Sequence, residues 1–159
     1  MQILRMLRKY DIAGVIFTAI VGTLLHFIYD WSNQNILLSF FSPVNESTWE
    51  HLKLLFFPLL LYSIFEYVNI GKKYDNFWIS RAIGIIGGLL FIALFFYFYT
   101  SIVGRNYLFI DILTFLLGII FTFIISNFIM RQIRFHSPNA NLIGQIILLL
   151  LTAAFFAFP

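Results

Sequence analysis

Ile12–Tyr29 reads IAGVIFTAIVGTLLHFIY, eighteen residues in which His26 is the only acidic or basic side chain. A spanning helix needs roughly 17–25 predominantly apolar residues, so this stretch is long enough to cross a bilayer. The basic start before it (Arg5, Arg8, Lys9) is that of a secretory leader. The run is long, however, holds His26 and lacks an A-x-A-like cleavage site, so it reads as an uncleaved anchor.

Four further runs extend the pattern: Leu54–Ile70, Ala82–Tyr99, Leu108–Met130 and Leu142–Phe158. Backbone groups left unpaired in lipid are too costly, so each crossing must be helical. The expectation is an all-α polytopic membrane protein, a bundle of five transmembrane helices (about 12–29, 47–70, 82–99, 108–130 and 142–158) forming one integral membrane domain over 1–159. Composition agrees. Only 11% of the 159 residues are charged and 61% are hydrophobic, whereas soluble domains carry about 25% charged residues. The absence of Cys excludes disulfides, thiol catalysis and Cys-ligated zinc or iron–sulfur centres.

The net charge of +3 does not point to nucleic acid, because the basic residues sort by membrane side. Arg5, Arg8 and Lys9 precede the first span. Lys72, Lys73 and Arg81 fall between the second and third, and Arg131 and Arg134 between the fourth and fifth. These connections share one side and hold eight of the ten basic residues; Lys53 and Arg105 are on the other. The positive-inside rule then places the protein in the cell membrane with its N-terminus cytoplasmic and its C-terminus outside.

Gly14, Thr18 and Gly22 recur at four-residue spacing in the first span, as do Gly84 and Gly88, with Gly87 beside them, in the third. Small residues so spaced let helices approach closely. The Gly14/Gly22 and Gly84/Gly88 faces are therefore candidates for homo- or hetero-oligomer contact. No inverted repeat of helix pairs, as in secondary transporters, is visible.

Polar chemistry concentrates in the outer connection, Asp30–Lys53. Its run NILLSFF (35–41) is too short to span and reads as an interfacial or re-entrant piece ended by Pro43. Ser47 followed by Glu50 is a capping-box pattern, which starts the second helix near Ser47. Glu46, Glu50 and Lys53 are spaced to share a face, with His51 about 100° away. His26 and Asp30 share a face of the first helix, and Arg105 and Asp111 lie at the same membrane level.

Three readings fit this cluster. In a metal reading, His26 with Asp30, and Glu50 or Glu46 with His51, ligate zinc or iron, the preferred set being His26, Asp30, Glu50 and His51, with an open position for water and a second carboxylate as base. The catalytic candidates are then Glu50, His51, Glu46 and Lys53. In a metal-free reading, a His–carboxylate pair passes protons or binds a polar head group, with Lys53 and Arg105 holding an anion. In a purely structural reading, Glu50 and Glu46 stabilise the helix start, Lys53 snorkels and pairs with Glu50, and Trp49 joins the interfacial aromatic belt. Elsewhere, Glu66 is expected to pair with Lys72 or Lys73. Asn127 and Gln145 are expected to hydrogen-bond between helices, and His136 to be a solvated loop residue.

The stretch containing Asn45, Glu46, Ser47, Trp49, Glu50, His51 and Lys53, with His26, Tyr29, Asp30 and Trp31 upstream, resembles a domain-of-unknown-function family of small bacterial multi-pass membrane proteins sharing N-E-S-x-W-E-H-x-K. The resemblance implies no activity. It also implies a polar, Pro-containing outer tail after the last helix, where this chain reads FFAFP. The function expected is that of a small integral membrane protein with a polar, metal-binding site on its outer side, acting on a lipid-borne or small polar ligand. The alternative is a non-enzymatic accessory subunit or small transporter component working through helix–helix contacts.

Overall fold

The computed structural model describes residues 2–132 and 136–158, with side chains from Lys9 onward. Arg134, and the side chains of Arg5 and Arg8, lie outside the described residues. The chain is all-helical among those residues: α1 (Gln2–Trp31), α2 (Ile36–Ser39), α3 (Thr48–Asn69), a 3-10 turn (Gly71–Lys73), α4 (Phe77–Val103), α5 (Leu108–Met130) and α6 (Ala140–Ala157). Five of these helices are long and apolar enough to cross a membrane. The molecule is a five-helix membrane bundle, and α2 is a short link lying at one end of it.

The central helix is α3. Just over half of its span is buried (56%), against 17% for α1. Leu55, Phe56 and Leu59 of α3 are fully enclosed, as are Ile85 of α4 and Ile119 of α5. Helix α1 lies along α3 and touches α5, while α4 packs on α5, α6 and α3.

Glycines set the closest approaches. Pro58 inside α3 has no amide to give the carbonyl of Leu54 one turn earlier. Gly22 of α1 covers that carbonyl: a Cβ at Gly22 would sit 2.5 Å from the Leu54 oxygen. A side chain there would collide with the oxygen left free by the proline. On α4, a Cβ at Gly84 would meet Ser126 Oγ at 2.0 Å, and one at Gly88 would meet Thr122 Oγ1 at 2.0 Å, so both face α5. Gly14 faces Phe123 and Tyr62. The small-residue stripes expected to serve oligomers are filled by the chain's own helices. The physical reason is that five spans of one chain must first pack on each other, and lipid offers no hydrophobic drive to do so without close contact.

One helix bound corrects the sequence expectation. Helix α4 begins at Phe77, so Arg81 lies inside it and is fully buried, rather than in the basic connection. Its charge is met by Glu66 of α3 at 2.5 Å. Glu66 was expected on Lys72 or Lys73, but both lysines are exposed. A hydropathy reading ends a span at its first charge. Here the span continues, because the opposite charge waits inside the bundle.

Gln145, expected in an interhelical hydrogen bond, is exposed on α6. Asn127 does bridge helices, donating to Asp11 Oδ2 of α1 at 2.8 Å. His136 is an exposed loop residue, as expected, with its Nδ1 2.6 Å from Asp75 and its other nitrogen facing the Met130 carbonyl at 3.3 Å.

Candidate functional site

The turn after α1 passes through Asn33 and Gln34, both with positive φ (58° and 60°). The left-handed region is sparsely used by residues with a side chain. It reverses the chain here so that the Asn35 side chain can cap α2 by accepting from the Leu37 amide at 2.9 Å. Ile36 and Leu37 of α2 remain exposed at 74% and 68%, as an interfacial segment requires. The chain then turns back toward α1, where Ser42 Oγ donates to the Leu25 carbonyl at 2.6 Å.

Ser47 is the N-cap of α3, its Oγ accepting from the Glu50 amide at 3.2 Å. Only this half of the capping box forms. The Ser47 amide donates to Asn45 Oδ1, while the Glu50 carboxylate reaches further back and accepts from the Val44 amide at 3.0 Å. Lys53 lies against both Glu50 oxygens, at 2.7 and 2.8 Å, and donates to the Ser39 carbonyl at 3.0 Å. Lys53 is fully buried and Glu50 is 1% exposed. The lysine therefore does not snorkel: its ammonium is enclosed where α2 crosses the start of α3, and Glu50 neutralises it. Substituting Ser47 by Ala is expected to lower stability by about 1 kcal/mol, the usual loss for an N-cap hydroxyl, read from thermal unfolding in detergent.

On the outer face of the same turn, three other side chains meet. His26 of α1, Glu46 just before α3 and His51 of α3 each offer a ligand atom, and all these atoms lie within 4.8 Å of one another. The two imidazole rings are tilted with centroids 5.2 Å apart. His51 Nδ1 faces the Ser47 carbonyl at 2.9 Å, an oxygen that can only accept, so Nδ1 carries the proton. That leaves Nε2 of the neutral ring as a lone pair, 3.4 Å from Glu46 Oε2. His26 Nδ1 is sealed from water without a hydrogen-bond partner. Glu46 is open to solvent (side chain 89% exposed) and His51 half-open (30%).

The structure brings His26 and His51 together, and of the two carboxylates expected beside His51 it places Glu46, not Glu50, in the group. Asp30 is exposed and stands outside the group. Glu50, expected beside His51 as a ligand, points inward to Lys53. Glu46, expected on the same helical face as Glu50 and Lys53, precedes the cap and folds back onto His51. The cap explains the choice: once Ser47 ends the helix, Glu46 is released from helical register, while Glu50 is fixed in the first turn and buried.

Asp111 and Arg105 form a separate corner. Asp111 accepts from the Tyr99 hydroxyl and from Asn106, and Arg105 stacks over Tyr107 with its guanidinium carbon 4.7 Å from the ring centroid. Trp49 docks on α6, its indole donating to the Phe158 carbonyl at 2.7 Å and stacking on Phe155 at 4.6 Å.

Five spanning helices with a paired-histidine rim define a small multi-pass membrane protein. The chain belongs to DUF6512, a family of unknown function whose model matches residues 1–159. No curated protein and no solved structure matches it.

Proposed function

We propose that the chain, folded as one integral membrane domain over 1–159, holds a divalent transition metal, zinc or iron, at His26, Glu46 and His51 on the extracytoplasmic side. The observation that carries this reading is the convergence of the three ligand atoms within 4.8 Å. Two imidazoles and a carboxylate are a donor set suited to zinc or iron. The Nδ1–H of His51 on the Ser47 carbonyl is the second-shell bond that fixes a metal-binding imidazole in its tautomer. Three protein ligands leave a coordination position free, and water held on zinc in that way ionises near pH ~7. A lipid-borne or small polar substrate reaching the rim would meet that position. Glu50 and Lys53 would support the site by holding the loop that carries Glu46.

The side assignment follows from the basic residues clustered in the opposite connections. The accessory-subunit reading loses its contact surfaces, since Gly14, Gly22, Gly84 and Gly88 already face neighbouring helices of the same chain.

Elemental analysis of detergent-purified protein, never exposed to chelator, is expected to show near-stoichiometric zinc or iron. Removing one ligand, as in His26→Ala, His51→Ala or Glu46→Gln, is expected to weaken metal binding by at least the roughly 10–100-fold typical of losing a second-shell partner. Asp30→Asn should leave the metal content unchanged. Equal metal in the wild type and a His26→Ala/His51→Ala variant would sink the proposal.

A further inference from the structure

At the end of the bundle opposite the histidines, α1, α3, α4 and α5 enclose a second polar group. Arg81 and Glu66 are both fully buried and joined at 2.5 Å through Glu66 Oε2. The Arg81 guanidinium also stacks over Phe123 and Phe77, its central carbon 4.6 and 5.4 Å from the two ring centroids. Asp11 of α1 has only the neutral Asn127 amide on its Oδ2. Glu66 Oε1 and Asp11 Oδ1 are both sealed from water without a donor, and Arg81 Nε and Nη1 are sealed without an acceptor.

Among the described side chains, the charges facing this place are few. From α1 come Asp11 and the phenol of Tyr10. From α3 come Glu66 and Tyr62, whose hydroxyl is committed to the Tyr10 carbonyl. Arg81 comes from α4. From α5 come the neutral Asn127 and, at the helix end, an exposed Arg131 whose charge water screens. Asp11 sits on Asn127, one helical turn along α5 from the Phe123 ring that carries Arg81, so among the described side chains one enclosed cation stands near two carboxylates. An uncompensated charge in such a place is expensive enough that the group neutralises instead. Ionisable residues placed inside a membrane span mark functional pathways by default.

We propose that Asp11 and Glu66 hold one exchangeable proton between them, making this cluster an intramembrane proton-binding site. Arg81 keeps one carboxylate ionised, and the proton occupies the other on an oxygen that no donor of the described chain reaches. Asp11 is half-buried, near the basic end of α1, and is the port to water; Glu66 is the enclosed partner. The site is separate from the histidine rim and does not depend on metal there.

Infrared spectroscopy of the full chain in lipid nanodiscs at neutral pH tests this. Exposed carboxyls, with an ordinary midpoint near pH ~4, are ionised there. The expected result is one protonated-carboxyl stretch per chain, shifting when aspartate and glutamate carboxyls carry carbon-13. Asp11→Asn and Glu66→Gln should each abolish it, since either change leaves the remaining carboxylate paired with Arg81. Glu50→Gln should leave it intact. The labelled wild type alone overturns the proposal if it has no such band, whether or not the variants fold. A band that disappears when sodium replaces choline as the salt cation would also overturn it, by showing that the site takes a metal cation instead.

Discussion

Arg81→Met is expected to destabilise the protein by about 3–5 kcal/mol, the usual loss when one partner of a buried ion pair is removed. Glu66 is 0% exposed and would be left as a buried carboxyl without its cation. The Arg81→Met/Glu66→Met double variant removes both charges and fills similar volume. It should recover most of the loss, because a buried pair replaced by apolar side chains is often neutral in stability. Thermal unfolding of the four proteins in one detergent completes the cycle. Additive losses, with no recovery in the double variant, would show that Arg81 and Glu66 are not coupled.

Gly144→Ala is expected to separate α6 from α4 and to lower stability by about 1–3 kcal/mol or more, as overpacking does. A methyl at Gly144 would lie 2.2 Å from the Trp78 carbonyl carbon and from the Ile79 amide nitrogen. Those are helix backbone atoms and cannot swing aside. Gly88→Ala should behave similarly, since its methyl would meet Thr122 Oγ1 at 2.0 Å and the Gly118 oxygen at 2.9 Å. Gly87→Ala is the internal control. Its methyl meets only the end of the flexible Ile125 side chain, so the change should stay within roughly 0.5 kcal/mol. Unfolding midpoints give the order, and sedimentation in detergent gives the state of association. If Gly88→Ala altered association with no loss of monomer stability, the stripe would serve a partner rather than α5.

Much of the architecture was legible because lipid is a demanding solvent. A run of about 20 apolar residues has few alternatives to a spanning helix, and five such runs are plain in the sequence. The N-cap at Ser47 was also legible, since a hydroxyl three residues ahead of a Glu before an apolar run is a local signal. Arg81 was hidden by the same hydropathy that found the spans. A pairing signal was nevertheless present. Residues 66 and 81 stand almost equally far from the middle of the connection between α3 and α4, and an antiparallel hairpin brings such positions nearly level. A lone Glu in an apolar run demands a partner at its own depth, and the first charge of the next helix supplies it.

The histidine rim divides the same way. His26, one turn inside the end of the first span, and His51, one turn into the next, had to lie at one level once the helices were drawn. Which carboxylate joins them was not readable. Glu46 and Glu50 are four residues apart, and their fates depend on the cap between them, on Lys53 and on where α2 crosses.

The sequence by itself determined that this protein is a bundle of five membrane helices, with its polar residues gathered near the two ends. It could do so because apolar length, caps and charge placement act locally or through the bilayer. Only the tertiary structure decided the partners that come from separate elements: Arg81 with Glu66, Asp11 with Asn127, and Glu46 with the two histidines. Each choice rests on which faces of separate helices meet, and that is set by close packing at glycines such as Gly22, Gly88 and Gly144, where an approach of a few ångströms brings one pair together and leaves another apart.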